Sequence, residues 1–222
     1  MKTIVITGAT GVLGNLVAKT FAEHGHNLAL LAKDQNKLDS LARDLNLSTE
    51  RIYAQAIDLL DGQAVHNSAE AVLSKFGSVH ALIHLVGGWT GGKKIPESSA
   101  DDFKSMLNQH AWTTFHLLQA FVPHITASQW GRVIVVSKPE TVNPSAKTAL
   151  YTAAKSAQEN LVLTLAEEYK DSGLTANVIH VKSIDVKGEG SGTSPAEIVS
   201  AMTYLFSDEA GKVSGARVPL YS

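Results

Sequence analysis

The chain contains no cysteine, which excludes disulfides, thiolate metal ligands and a thiol nucleophile together. Its net charge is only −2 and its basic residues are scattered, so no positive patch for nucleic acid or an anionic membrane is visible. No apolar run reaches the roughly 18 residues of a membrane span. The first residues run directly into a strand-like segment rather than a secretion signal. We therefore expect a cytoplasmic protein that has neither a nucleic-acid nor a membrane partner.

A metal site is also not indicated, although the chain has nine histidines. No H-x-x-x-H pair falls inside a predicted helix, and His116 and His124 are too far apart to share an ion. We predict no metal and a small-molecule substrate.

Short apolar runs alternate with amphipathic helical patterns along the whole chain. Strands are predicted at 3–7, 27–32, 52–57, 81–86, 132–137, 175–181 and 216–220, and helices at 13–24, 36–45, 62–76, 100–126, 151–172 and 195–207. Runs such as 133–136 are apolar without alternation, as in strands that are covered on both faces. The pattern predicts one domain over residues 1–222, with a Rossmann-like, doubly wound α/β fold and a seven-stranded, mostly parallel sheet.

A glycine-rich turn, TGATGVLG, follows the first predicted strand and opens the first helix. Glycines let the backbone turn tightly and approach a pyrophosphate, and the free N–H groups at the helix start favour its charge. The turn therefore predicts a nicotinamide dinucleotide held by Gly8, Thr10, Gly11, Val12, Leu13 and Gly14.

The second and third predicted strands end in residues that bear on which dinucleotide is bound. Lys33 stands near the place where an NAD site usually has an acidic residue on the ribose, and a lysine there suits a 2′-phosphate. NADP(H) is therefore favoured over NAD(H). Asp58 either accepts from the adenine amine or caps the following helix.

Tyr151 and Lys155 are four residues apart at the start of a predicted helix, so both side chains lie on one face. A phenol donates a proton near neutral pH only if its pKa is lowered, and a nearby ammonium has that effect. The same ammonium can hold a ribose. The pair is thus a predicted catalytic unit at the carboxyl edge of the sheet.

Together, TGATGVLG, LVGG at 85–88, GRVIVVS at 131–137 and YTAAK at 151–155 resemble the short-chain dehydrogenase/reductase family. The resemblance covers nearly the whole chain. It implies a hydride delivered to a carbonyl or imine, with Tyr151 as proton donor and Lys155 on the ribose. It also implies cofactor contacts from Leu59, Val86, Gly87 and Gly88.

Two of the residues that usually assist the tyrosine in that family are replaced here. The usual serine, thirteen residues before Tyr151, is Lys138, while Ser137 lies one place earlier and on the other face of an extended strand. The usual helix asparagine is His110, which either joins a proton relay to Lys155 or merely fills the site. We include Ser137 and His110 among the predicted catalytic residues, and Lys138 among those that contact substrate.

One branch of the family, the dihydropteridine reductases, keeps the tyrosine and lysine and lacks the serine. The segments GGWTGG at 87–92 and QHAWT at 109–113 resemble that branch and make Trp89 a candidate contact for a flat heterocycle. The leading hypothesis is thus a reductase of a flat conjugated ring, such as a quinonoid dihydropterin. The alternatives are a carbonyl or 3-oxoacyl reductase with rebuilt catalytic residues, or a dinucleotide-binding sensor. The resemblance also implies a homodimer or homotetramer, formed by the long helices that begin near Asp101 and Tyr151.

Overall fold

The computed structural model describes residues 1–190 and 192–221. It contains seven strands, which in chain order are β1 Thr3–Thr7, β2 Asn27–Ala32, β3 Ile52–Ala56, β4 Ala81–His84, β5 Gly131–Ser137, β6 Leu174–His180 and β7 Arg217–Pro219. All belong to one sheet with the order β3-β2-β1-β4-β5-β6-β7, and every neighbouring pair is parallel. The predicted doubly wound fold is confirmed.

Helices cover both faces of this sheet. They are α1 Val12–Glu23, α2 Gln35–Leu45, α3 Gly62–Phe76, α4 Ala100–Leu107, α5 Thr113–Ala127, α6 Ala149–Glu168 and α7 Pro195–Phe206. Neighbouring residues of β1 face opposite sides, so Ile4 packs with Phe21 and Met202 while Val5 packs with Phe121 and Val162. Both faces of β1, β2 and β4 are buried, which explains the continuous apolar sequences of these strands.

The predicted helix 100–126 is interrupted by a π-helical turn over Asn108–Trp112. Its apolar periodicity hides this break, because one extra residue per turn barely disturbs the pattern. The wider turn is closed by the N–H of Thr113, which donates to the carbonyl of Asn108. It leaves the His110 side chain buried beside the sheet edge. This π turn therefore places the residue that replaces the family's asparagine.

Other boundaries differ by a few residues. The strand predicted over 81–86 ends at His84, although the N–H of Leu85 still donates to Thr7 O at 3.2 Å. The pairing then stops because the chain turns away at the carboxyl edge. The order of the sheet reverses between β1 and β4, so the ends of these two strands flank a crevice of the kind that binds ligands in open α/β sheets.

Candidate active site

The glycine turn has the backbone geometry that its sequence predicts. Gly8 has φ +69°, and a Cβ there would come within 3.1 Å of the carbonyl carbon of Leu85. A Cβ on Gly14 would lie 2.2 Å from Gly8 O, so only glycine lets α1 pack this closely against the turn. The free N–H groups of the first turn of α1 begin directly after Gly11.

Two cavities meet at this turn. One, of about 670 Å³, is lined by Thr10, Lys33, Asp58 and Leu59 among others. The second, of about 540 Å³, is lined by residues of the turn and by the predicted catalytic pair. They share Gly8, Gly11, Leu85, Val86 and Gly87. The shared wall joins the two cavities into one groove across the turn, with Lys33 and Asp58 in one part and Tyr151 and Lys155 in the other.

Asp58 does not cap the third helix, as one of its two sequence interpretations proposed. Its Oδ1 accepts a hydrogen bond from the N–H of Leu60 at 3.0 Å, in a short local turn. The N-cap of α3 is Asp61, which accepts from the N–H of Ala64. Asp58 is thereby left on the wall of the larger cavity.

The predicted catalytic pair lies on one face of α6, inside the smaller cavity. Tyr151 and Lys155 are both nearly buried, at 9% and 6% exposure. The ammonium of Lys155 donates to Val136 O and to Gln158 Oε1, each at 2.8 Å. Burial lowers the pKa of Lys155 to about 8, against the opposing effect of Glu159, so the group is charged at neutral pH.

The pKa of Tyr151 is raised rather than lowered, to about 12, by burial and then by the charge of Glu140. The sequence prediction that Lys155 lowers this pKa is not met, because the ammonium is bonded to the strand and to its own helix. The phenol consequently keeps its proton at neutral pH. A raised pKa also makes the phenol a weaker acid than a free tyrosine, so the pKa itself does not favour proton donation.

Gln158 is a residue of the site that sequence reasoning missed. Its Nε2 donates to Thr114 Oγ1 at 2.8 Å, while its Oε1 accepts from Lys155. Thr114 in turn donates to the carbonyl of His110 at 2.6 Å. This buried chain of bonds, which we call the Lys155 clamp, joins the ammonium to the π turn. The signal in the sequence was a glutamine on the inner face of α6, three residues after the lysine.

His110 is buried and neutral, because burial and then the charge of Lys155 lower its pKa to about 4. Its Nε2 donates to Gly88 O at 2.9 Å, and its ring stands edge-to-face against Tyr151 with centroids 5.3 Å apart. Its Nδ1 is buried and has no hydrogen-bond partner among the described residues. Only the backbone of His110 is joined to Lys155, and through an amide that cannot relay a proton quickly. The geometry thus favours the interpretation that this side chain fills the site.

Ser137 lines the cavity, but its hydroxyl donates to Glu159 Oε1 at 2.5 Å. Glu159 is fully buried and also binds His180 and Arg217, at 2.9 and 2.6 Å. Burial raises the pKa of Glu159, but these three hydrogen bonds outweigh it and lower the pKa to about 2. The Ser137 hydroxyl thus donates its proton to a buried carboxylate. This hydrogen bond gives no support to the predicted catalytic role of Ser137.

Lys138, at the position of the family's serine, lies near Tyr151, the predicted proton donor. Its ammonium is 5.9 Å from the centre of the Tyr151 ring and 3.3 Å from Glu140 Oε1. Trp89 lines the same cavity and is 62% exposed, with its indole resting on Gly91. Both predicted substrate residues are therefore brought to the cavity that holds Tyr151.

A buried histidine joins the glycine turn to the rest of the site. His84, at the end of β4, pairs with Thr7 Oγ1 at 2.6 Å and with Thr113 Oγ1 at 3.4 Å. Burial, followed by the charges of Lys155 and His110, lowers its pKa to about 3. It therefore remains neutral over the whole range in which an unfolded histidine takes up a proton.

We expect this histidine to make the fold acid-labile. Below pH 6.5 the unfolded chain binds a proton at His84, whereas the folded chain does not bind it until about pH 3. The free energy of unfolding therefore falls as pH falls. The slope is about 1.4 kcal/mol per pH unit for each such group. Urea unfolding at pH 7, 6 and 5 should show a shallower decline for His84→Gln than for wild type. The exposed His66→Gln is the control, and equal slopes for wild type and His84→Gln would contradict the account.

An apolar groove of about 800 Å³ lies between α5 and α6, on the surface away from the cavity. Trp112 and Phe115 line it and are 51% and 40% exposed. The tryptophan of the QHAWT segment thus belongs to this groove and not to the substrate cavity.

Across 1–190 and 192–221, no helix combines the length and apolarity needed to cross a bilayer. Nor do three or more histidine, aspartate or glutamate side chains converge there as metal ligands.

Known proteins of similar sequence are oxidoreductases. The chain is 28% identical over 231 residues to (2S)-[(R)-hydroxy(phenyl)methyl]succinyl-CoA dehydrogenase subunit BbsC of Thauera aromatica, covering 96% of this chain and 90% of that one. It is 28% identical over 167 residues to the NADPH-dependent pterin aldehyde reductase of Arabidopsis thaliana, covering 75% and 69% of the two chains.

Solved structures share this fold, and a family model matches most of the sequence. Sorbitol-6-phosphate 2-dehydrogenase from Erwinia amylovora superposes with a TM-score of 0.90 at 19% identity, over 98% of this chain and 97% of that one. A family model described as short chain dehydrogenase matches residues 2–193. Since that match spans most of the chain, the protein belongs to the short-chain dehydrogenase family of oxidoreductases.

Proposed function

We propose that the protein is an NAD(P)H-dependent reductase that transfers a hydride to the carbonyl or imine system of a flat conjugated substrate. The observation that carries this proposal is that Tyr151 and Lys155 line one cavity, which shares its wall with the glycine turn. Enzymes of this family use NAD(P) cofactors. The glycine geometry fits such a group, because side chains at Gly8 and Gly14 would obstruct the turn.

In this proposal, separate residues bind the cofactor and donate the proton. The first turn of α1 and the glycines before it would hold the pyrophosphate, and Lys155 the nicotinamide ribose. The bound nicotinamide supplies the hydride. Tyr151 donates the phenolic proton to the oxygen or nitrogen that becomes negative as the hydride adds, so that the product leaves neutral. The Lys155 clamp keeps the ammonium in place beside the phenol.

A quinonoid dihydropterin is the substrate class we favour. Such a ring is already an electron-poor imine system and needs less help from a serine hydroxyl, which the site lacks at position 138. Trp89 offers an exposed indole in the cavity, on which a flat ring can stack. The Arabidopsis relative is also named for a pterin substrate.

A carbonyl or 3-oxoacyl reductase is the second candidate, because Lys138 lies close enough to Tyr151 to replace the lost serine hydrogen bond. Oxidation of NADPH with fresh quinonoid dihydropterin, set beside aromatic ketones and aliphatic 3-oxo thioesters, separates the two. Turnover of the pterin supports the first proposal and turnover of the other carbonyls alone supports the second. Tight cofactor binding with no turnover would favour a dinucleotide sensor.

Lys33 is expected to select NADPH over NADH. It is exposed on the wall of the larger cavity, where the 2′-phosphate of NADPH would lie. Lys33→Asp should weaken NADPH binding about tenfold or more, by losing one charge-assisted contact and adding a repulsion, and should weaken NADH much less. Lys37→Asp, which makes the same charge change on exposed α2, is the control in a fluorescence titration. Equal losses of affinity for NADPH and NADH would show that Lys33 does not bind the 2′-phosphate.

We propose that the groove between α5 and α6 binds a second copy of the chain, giving a homodimer or homotetramer. Large aromatic side chains at this face would be covered in such an assembly. Phe115→Glu should therefore yield monomers in sedimentation velocity, because it places a charge in the apolar contact. Tyr204→Glu, at an aromatic residue of α7 that is 53% exposed against 40% for Phe115, should leave the assembly intact. A wild-type monomer would contradict this proposal.

A further inference from the structure

The catalytic cavity is unusually rich in positive charge for a site that handles a neutral ring. Among the described residues that line it are three lysines, Lys138, Lys155 and Lys182, and no aspartate or glutamate. Its two histidines, His84 and His110, are neutral, since burial lowers the pKa of each. Charged oxygen groups on a ligand would therefore meet attraction here and no carboxylate of the cavity wall.

The three lysines have different partners. Lys155 is fixed below the tyrosine by Val136 and Gln158, which matches a role toward the cofactor. Lys182 lies after β6, with its ammonium 5.5 Å from the Tyr221 ring. Lys138 follows β5, with its ammonium 5.9 Å from the Tyr151 ring. Of the three, Lys138 is the one placed directly beside the proton donor on the side of the cavity lined by Trp89 and Val186.

The ion pair with Glu140 holds Lys138 in place. The two side chains are 25% and 23% exposed, and one Glu140 oxygen lies 3.3 Å from the ammonium. The other oxygen is buried and has no hydrogen-bond partner among the described residues. Glu140 is not among the residues that line the cavity, although its charge raises the pKa of Tyr151. An ammonium has three N–H donors and Glu140 Oε1 uses one. The remaining donors of a pre-positioned ammonium can bind an acceptor on the substrate at little cost in side-chain entropy.

We propose that the substrate carries an anionic oxygen group, a carboxylate or a phosphate, and that Lys138 binds it next to the reacting carbon. This inference rests on the proposed reductase function and narrows its substrate to a flat ring with an acidic substituent. The lysine at the position of the family's serine thereby acts in substrate selection. The cofactor's own phosphates would lie at the glycine turn, so they do not account for a lysine after β5.

Binding of unreactive probes tests the inference without requiring turnover. NADP⁺-loaded protein would be titrated by calorimetry with benzoate, phenyl phosphate and the neutral benzamide. We expect the preferred anion to bind at least about tenfold more tightly than benzamide, because a charge-assisted hydrogen bond replaces a neutral one. Comparison of the affinities for benzoate and phenyl phosphate shows whether the site prefers a carboxylate or a phosphate. The preference should shrink as salt is raised.

Substitutions assign the effect to Lys138. Lys138→Met should abolish the preference for the anion and Lys138→Arg should retain it, while Lys187→Met, at a lysine whose side chain is 76% exposed, should leave it unchanged. Equal affinity for anions and benzamide, or a preference that survives in Lys138→Met, would overturn the inference. Anion binding with no turnover of any carbonyl would contradict only the reductase proposal. Turnover of neutral and acidic aromatic aldehydes at equal kcat/KM would contradict only the inference.

Discussion

Tyr151→Phe is expected to lower kcat by about 10²–10⁴-fold, the range for loss of a general acid, while the affinity for NADPH is retained. The phenol lies in the cavity with its proton in place, because burial and Glu140 raise its pKa to about 12. Phenylalanine preserves the ring and its edge-to-face contact with His110, so the change removes the proton and little else. Single-turnover oxidation of NADPH is the measurement.

Tyr204→Phe is the matched control for this substitution, because Tyr204 lies on α7 and is 53% exposed. It should leave kcat unchanged. Were Tyr151→Phe to keep more than a tenth of the wild-type rate, another group would have to supply the proton. Lys138 would be the first to examine, since its ammonium lies 5.9 Å from the centre of the Tyr151 ring.

Gln158→Leu is expected to have the second-largest effect, on the pH dependence of the reaction. The amide oxygen is one of two acceptors that hold the buried Lys155 ammonium. Without it the pKa of Lys155 falls below its value of about 8, because burial then penalises the charged form with less compensation. The alkaline decline of kcat/KM for NADPH should move to lower pH, with about a tenfold loss at pH 8.

Gln158→Glu provides the opposite change at the same position. A carboxylate there should raise the pKa of Lys155 and move the alkaline decline to higher pH. A merely structural role for Gln158 would lower activity evenly at every pH in both variants. Unshifted pH profiles for both would therefore contradict the Lys155 clamp.

These two predictions assign the alkaline decline to Lys155 and not to Tyr151. The lysine has a pKa of about 8 and the tyrosine one of about 12, so the lysine loses its proton first as pH rises. Deprotonation removes the charge that would hold the ribose. The order is the reverse of the one expected from the sequence, in which the ammonium lowers the phenol pKa.

The sequence predicted the fold well because both faces of the sheet are buried. Residues 3–7 and 27–32 are continuous apolar segments, and β1 and β2 have the predicted bounds. The π turn at Asn108–Trp112 was missed because its apolar spacing differs little from that of an α-helix. The ends of β3 and β4 were predicted too long, since where pairing stops depends on the neighbouring strands.

The site was predicted in part, and what was missed depends on tertiary contacts. The glycine turn and the pair at 151 and 155 are local patterns, and the fold brings both to the wall of one cavity. Gln158 gained its role from Thr114, which is 44 residues away. The Tyr151 pKa depends on burial and on Glu140, and the hydroxyl of Ser137 is engaged by Glu159 from another element. No local pattern contains these partners.

Isotope transfer is the measurement that tests the central claim most directly. NADPH carrying two deuterium atoms at C4 of the nicotinamide would be mixed with the wild-type protein and the aromatic carbonyls of the panel, whose reduced carbon keeps the label, and the product examined by mass spectrometry. With quinonoid dihydropterin the new hydrogens lie on exchangeable nitrogens, so the measurement there is the primary isotope effect on NADPH oxidation. A reductase that works as proposed gives one deuterium per carbonyl product, or slower oxidation of the deuterated cofactor with the pterin, in wild type and not in Tyr151→Phe on the same timescale. Tight binding of NADPH with neither deuterium transfer nor substrate-dependent oxidation would contradict the account and indicate a dinucleotide-binding protein without catalysis.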